Sequence, residues 1–329
     1  MSKFVVVGAN SFSGSHFVRR LLLVGHQVWG LGRSPEPIQQ FLPRSWDAAA
    51  PGTYSFIQFD INGDEEALSR LLKDLSPEFV VNFAAQGMVA ESWIRPWDWF
   101  ATNTSGLSKL LNALQELTSL RKYVHVTTPE VYGSTDGWAK ESFSFSPSTP
   151  YAVSRAAGDW HVMNLHKVKG LPVVLTRAAN VYGPGQQLYR VIPRAFLSGL
   201  LHEPFPLHGD GASTRSFIHI DDVVDATYRL ALANVVGETF HISTNELVSI
   251  RELLGKIHQV LDRRDEQIEQ LPERDGKDST YQLDSSKIRA ELGWEDRVGL
   301  SEGLEQVHQW LLADLEKFRN LPRDYVHKV

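Results

Sequence analysis

Phe4-Val5-Val6-Val7-Gly8-Ala9-Asn10-Ser11-Phe12-Ser13-Gly14 is the stretch that decides the fold. An apolar run of strand length, Phe4-Val7, ends in a glycine, and small residues lead into the helical periodicity of Ser13-Val24. Gly8, Asn10, Ser11, Phe12, Ser13 and Gly14 therefore stand where a backbone can approach a pyrophosphate at a helix N-terminus. Ser11 occupies the fourth place of the glycine pattern. A strand that ends in glycine and enters a helix is common, so the loop gains weight from its position at the first strand.

Further apolar runs follow at Gln27-Leu31, Tyr54-Gln58, Phe79-Phe83, Tyr123-Val126 and Val173-Thr176. Stretches with apolar residues three and four apart, at Glu65-Leu75 and Asn103-Leu117, separate some of them. That alternation predicts a parallel sheet covered by helices on both faces, a doubly wound α/β fold. After about Ala178 the pattern loosens, with a strand and helix at Ser216-Ala233 and helices near Ile250-Leu261 and Leu300-Phe318. The expectation is a first domain of residues 1–178 plus about 216–242, with 179–215 and 243–329 forming a smaller second domain. A cleft between them is where a ligand would lie.

With 329 residues, 42% of them hydrophobic, the chain can bury a large core. Its net charge of −6 comes from mixed acidic and basic residues, unlike the basic face of a nucleic-acid binder, and favours a small-molecule partner. The absence of cysteine removes disulfides, thiolate nucleophiles and thiolate-bound zinc. No apolar run nears the roughly 20 residues that span a bilayer, so the expected location is cytoplasmic and away from membranes. None of the 12 histidines has metal-ligand spacing, and no metal is expected.

Strand two ends in Leu31-Gly32-Arg33-Ser34, without the acidic residue that accepts hydrogen bonds from the ribose hydroxyls of NAD. A guanidinium and a hydroxyl suit a 2′-phosphate instead, so Arg33 and Ser34 favour NADP over NAD, while Arg33 can also be read as a solvated loop residue.

Later segments carry a specific resemblance over nearly the whole length. They are Asn82-Phe83-Ala84-Ala85-Gln86, Thr128-Pro129-Glu130-Val131-Tyr132-Gly133, Pro150-Tyr151-Ala152-Val153-Ser154-Arg155, Arg177-Ala178-Ala179-Asn180-Val181-Tyr182-Gly183-Pro184 and Gly209-Asp210-Gly211. The chain resembles the extended short-chain dehydrogenase/reductase family, with a Rossmann-type cofactor domain and a smaller C-terminal substrate-binding domain. Within it, the chain is most similar to nucleotide-sugar 4,6-dehydratases for dTDP-glucose and GDP-mannose. Arg274-Asp275-Gly276-Lys277-Asp278, Tyr281-Gln282-Leu283-Asp284-Ser285-Ser286-Lys287 and Leu292-Gly293-Trp294 resemble the dTDP-glucose version, whereas Gly32-Arg33-Ser34 resembles the GDP-mannose branch. The nucleotide stays open.

The resemblance implies roles. Tyr151 would take the proton of the sugar 4-hydroxyl, with Arg155 in place of the family's lysine as the cation that stabilises its phenolate; arginine keeps the charge but is a wider, planar fork. Thr128 would hydrogen-bond the sugar O4, and Glu130 would take the C5 proton once a ketone at C4 has acidified it. Pro129 departs from the aspartic acid of the dTDP-glucose enzymes, so Glu130 would also return a proton to the departing oxygen, itself or through water. Asp60 and Ile61 match the adenine contact, and Ala84, Ala85 and Gln86 line the cofactor together with Tyr151 and Arg155. Ser92, Thr128, Asn180, Gln186, Arg190 and Arg215 match the nucleotide-diphosphate-sugar site, with Arg177 at the start of the same block. The family's dimers pair the helices around Asn103-Leu117 and Tyr151-Val168, which implies a homodimer.

An NDP-hexose 4,6-dehydratase is the first reading. A nucleotide-sugar 4-epimerase or a UDP-glucuronate decarboxylase on the same fold is the second; Glu130 speaks against an epimerase but not against a decarboxylase. A protein that binds nucleotide sugar or cofactor without turnover is a third, from Arg155 and Pro129.

Overall fold

The computed structural model describes residues 1–47, 49–263, 268–272 and 281–328. Seven strands form its main sheet: β1 Lys3–Val7, β2 Gln27–Gly32, β3 Thr53–Gln58, β4 Phe79–Asn82, β5 Lys122–Thr127, β6 Val173–Ala178 and β7 Glu238–Ile242. Their order is β7-β6-β5-β4-β1-β2-β3, and every pair is parallel. The order reverses between β1 and β4, which opens a crevice at the carboxyl ends of these two strands.

The alternation along β1 explains why both faces are covered. Phe4 and Val6 pack with Phe17, Leu21 and Val224 on one face, from helices Phe12–Leu23 and Ile220–Leu232. Val5 and Val7 pack with Leu68, Leu72, Leu110 and Val162 on the other, from helices Glu65–Leu75, Leu107–Gln115 and Pro150–Lys169. Each such side chain contributes about 1.5–3 kcal/mol on burial. A one-residue slip of β1 would exchange the two sets.

A separate core gathers Ile192, Phe196, Leu253, Ile257, Leu304, Val307 and Leu311 from helices Val191–Leu201, Ile250–Val260 and Leu300–Ala313. Three local features differ from the sequence reading. The helix expected over Asn103-Leu117 begins as a wider π turn, Ala101–Gly106, before Leu107–Gln115. The helix expected to Phe318 is interrupted at Asp314, which has φ −136°, and resumes as Leu315–Arg319. β7 was not read as a strand; Phe240 and Ile242 are fully buried in it beside β6. Among the described residues no helix is long and apolar enough to cross a membrane.

Candidate active site

The crevice starts at Gly8, whose φ of +80° favours glycine. A Cβ on Gly8 would lie 2.6 Å from the Ala84 nitrogen, and one on Gly14 would lie 2.2 Å from the Gly8 carbonyl oxygen. Both positions therefore need the space that glycine leaves. The Ser11 hydroxyl accepts from the Gly14 N–H at 3.1 Å and caps helix Phe12–Leu23. Asn10 donates to the Ser34 carbonyl at 3.0 Å, tying the loop to the end of β2.

A cavity of about 260 Å³ opens above this loop. Gly8, Asn10, Ser11, Arg33, Ser34, Asp60, Ile61, Ala84, Ala85 and Gln86 all line it, so ten of the residues assigned to the cofactor converge there. Phe12 is buried and stacks edge-on with His16. Asp60 also accepts from the Asn62 N–H at 2.9 Å, the turn-capping role open to a strand-end aspartate. The glycine cradle and capped helix start fit a dinucleotide pyrophosphate.

Sequence reasoning missed the support behind Gln86. Asn103, in the π turn, accepts from the Gln86 N–H at 2.9 Å and donates to its carbonyl at 3.0 Å and to the Ser154 hydroxyl at 3.0 Å. Ser154 in turn donates to the Tyr151 carbonyl at 2.7 Å. Regular helical periodicity gave no signal for a turn that aims one amide at a loop and a neighbouring helix.

At the end of β5 the chain turns through Pro129–Tyr132, a short 3-10 helix with Thr128 as its cap. Pro129 sits at the start of this turn, where a missing N–H costs nothing. Thr128 donates its hydroxyl to a Glu130 carboxylate oxygen at 2.9 Å and accepts from the Glu130 N–H at 3.3 Å. It thus caps the turn and orients the carboxylate together.

Tyr151 opens helix Pro150–Lys169, which is capped by Thr149. Burial pushes its phenol up to about 12, and the Glu130 charge adds to the rise. Arg155, a hydrogen bond with Thr128 and Arg190 act in the opposite direction. Arg155, one turn on, is 3% exposed and donates to the Val126 carbonyl. Thr128, Glu130, Tyr151 and Arg155 are therefore one cluster beside the crevice.

The residues that the resemblance assigns to the substrate divide. The Asn180 side-chain oxygen accepts from the Tyr281 hydroxyl at 2.9 Å, and the same tyrosine ring lies 5.2 Å from the Arg215 guanidinium. Sequence reading assigned Tyr281 no role, yet it touches both. Arg190 is exposed, lies over Tyr189 at 5.4 Å and acts electrostatically on Tyr151, which places it at the same cleft. Gln186 is 8% exposed and donates to the Val181 carbonyl at 2.7 Å.

Two residues of these segments are enclosed in the protein. Ser92 is fully buried and its hydroxyl donates to the Val89 carbonyl at 2.6 Å, closing its own turn. Arg177 is fully buried, paired to Asp159 at 2.8 Å and bonded to the Tyr132 hydroxyl at 2.7 Å. A guanidinium so enclosed joins β6 to helix Pro150–Lys169 and is not available to a diphosphate. The segment Arg274–Asp278 lies outside the described residues. Among the described residues no group of three or more potential ligands could hold a metal ion.

The family model described as GDP-mannose 4,6 dehydratase matches residues 5–307. A dTDP-glucose 4,6-dehydratase of Xanthomonas campestris pv. campestris is 31% identical over 95% of this chain and 94% of its own length. The crystal structure of a dTDP-glucose 4,6-dehydratase from Streptomyces venezuelae with NAD bound superposes with a TM-score of 0.88, at 31% identity, over 96% of this chain and 98% of the other. A UDP-glucuronic acid 4-epimerase from Bacillus cereus, in complex with UDP-glucuronic acid and NAD, gives 0.85 at 28% identity, over 94% and 99%. With the glycine cradle, the Thr128–Glu130–Tyr151 cluster and this likeness over almost the whole length, the chain belongs to the NDP-hexose 4,6-dehydratase-like members of the extended short-chain dehydrogenase/reductase family.

Proposed function

We propose that the protein is an NDP-hexose 4,6-dehydratase, which oxidises C4, eliminates water across C5 and C6 and reduces C6 to give an NDP-4-keto-6-deoxyhexose. The observation that carries this reading is the 2.9 Å hydrogen bond from Thr128 to the Glu130 carboxylate beside Tyr151. An epimerase needs no second base for a C5 proton. This cluster supplies one.

Residues 1–178 and about 216–242 would hold the cofactor; 179–215 and 243–329 would hold the nucleotide sugar. When bound, NAD(P) supplies the acceptor for the C4 hydride and the donor for the hydride at C6. Gly8 to Gly14 would receive its pyrophosphate, and Arg33, Ser34, Asp60 and Gln86 would flank it. Arg33 and Ser34, with no carboxylate at the end of β2, favour NADP, although the similar S. venezuelae enzyme holds NAD.

Tyr151 takes the O4 proton. Its buried phenol needs a cation to ionise, and Arg155 and Arg190 supply that field. Thr128 orients the 4-oxygen. Glu130 then removes the C5 proton and, in the absence of an acid at Pro129, delivers a proton to the leaving C6 oxygen, directly or through water. Asn180 and Arg215 grip the diphosphate part, in a cleft where Arg190 adds positive charge.

A homodimer accompanies this reading. Val153 and Trp160 on helix Pro150–Lys169, with Trp97 and Phe100 on its packed neighbour Pro96–Phe100, leave apolar surface at 40%, 43%, 59% and 37% exposure. A second copy would cover it.

The mechanism is tested with Glu130→Gln in D2O. The variant is expected to oxidise C4 yet fail to exchange the C5 proton or lose water, with kcat lower by about 10²–10⁴-fold, the usual contribution of a general base. Full dehydration by the variant would contradict the role given to Glu130.

A further inference from the structure

Beyond helix Leu315–Arg319 the chain crosses both halves of the molecule. Leu321, Arg323, Tyr325 and His327 are partly buried, while Pro322, Asp324, Val326 and Lys328 between them are exposed. That period of two is the signature of an extended segment with one face against the protein. Each inward residue has a built seat. Leu321 packs on the second core and Arg323 pairs with Glu203. Tyr325 meets Tyr189 edge-on at 5.4 Å. His327 stacks on the Trp99 ring at 5.1 Å, with 7° between the planes, and its Nε2 lies 2.8 Å from the Asp98 carboxylate.

The end of this run reaches the cofactor crevice. The Lys328 carbonyl accepts from the Arg33 guanidinium at 2.9 Å and from the Gln86 amide at 2.9 Å. Arg33 follows β2 and Gln86 follows β4, so one carbonyl bridges the two banks of the cavity, and Lys328 itself lines it.

We propose that residues 321–328 are a strap over the cofactor site, which positions Arg33 and Gln86 and slows the release of a bound dinucleotide. The proposal rests on reading this crevice as the dinucleotide site. The glycine loop forms the floor, and a dinucleotide lying on it leaves only when the strap lifts. Lifting costs the His327 stack, the bond to Asp98 and both bonds to Lys328. Retention suits a reaction whose cofactor accepts and returns the same hydride and is not consumed. His327 and Tyr325 are positioning residues in this arrangement.

The test is the rate at which the full-length protein, loaded with NAD or NADP, releases it into excess competitor. His327→Ala is expected to release dinucleotide about ten-fold faster, the factor expected for one lost hydrogen bond to a charged partner. His327→Phe, which keeps the ring stack, should fall between it and the wild type. A purely structural role would lower the unfolding midpoint without ligand and leave release unchanged. Wild-type release rates in both His327 variants and in Tyr325→Ala would overturn the strap. Gly14→Ala separates the two ideas. If it binds dinucleotide as the wild type does, the reading of the crevice falls. If it has lost binding while the His327 variants release normally, the strap alone falls.

Discussion

At the scale of single residues, Arg155 is where this chain departs most consequentially from its family. Its guanidinium lowers the Tyr151 phenol against burial and Glu130, which both raise it. Removing the charge therefore lets the phenol rise further, and less of the phenolate is present at any given pH. Arg155→Met should lower kcat by about 10²–10³-fold, within the range of lost acid–base assistance, and move the rising limb of the pH–rate profile to higher pH. Arg155→Lys should keep the limb near its wild-type position. A profile unmoved by Arg155→Met would show that the phenol is served by another cation, for which Arg190 is placed. Tyr151, Thr128 and Glu130 stood out in the sequence only through the resemblance to a family, and the structure brings the three together at the end of β5. Tyr281 did not stand out, since a tyrosine that holds an amide and a guanidinium by its two ends looks in sequence like any core aromatic.

Elements were legible where periodicity is strong and long. The first six strands followed from their apolar runs, while β7 was missed because it is short and buries the polar Thr239 and His241 beside Phe240 and Ile242, so it carries no apolar run. The π turn at Ala101–Gly106 was hidden because its hydrogen bonds shift without a change in the apolar pattern. The proposed dimer belongs to this scale, because helix Pro150–Lys169 buries Tyr151, Val162 and Met163 on one side and leaves Trp160 out on the other. Trp160→Glu would bury a charge in that interface and should shift the protein from dimer to monomer in analytical ultracentrifugation. A wild-type sedimentation coefficient matching a 37.0 kDa monomer would contradict the dimer.

Over the whole molecule, buried histidines contribute to the response to acid. Burial is the main cause that lowers His16 to about 4 and His241 to about 3 and holds His125 well below its ordinary value. The unfolded chain binds protons at these groups below about 6.5, whereas the native state stays neutral there, so their stabilising effect is full above that pH and is lost as pH falls toward 4. His16 and His241 each cost about 1.4 kcal/mol per pH unit in that window. Urea unfolding at pH 7 and pH 5 should differ by several kcal/mol, and equal stabilities would contradict the buried, neutral state.

The most direct test of the account is the mass of the product. The purified protein is given dTDP-glucose, UDP-glucose, CDP-glucose, GDP-mannose, UDP-N-acetylglucosamine or UDP-glucuronate, with NADP and separately with NAD. The account predicts loss of one water from one of these hexoses, no net reduction of the cofactor, and faster turnover with NADP. A product of unchanged mass that is a 4-epimer, release of carbon dioxide from UDP-glucuronate, or dinucleotide binding without any conversion would contradict it.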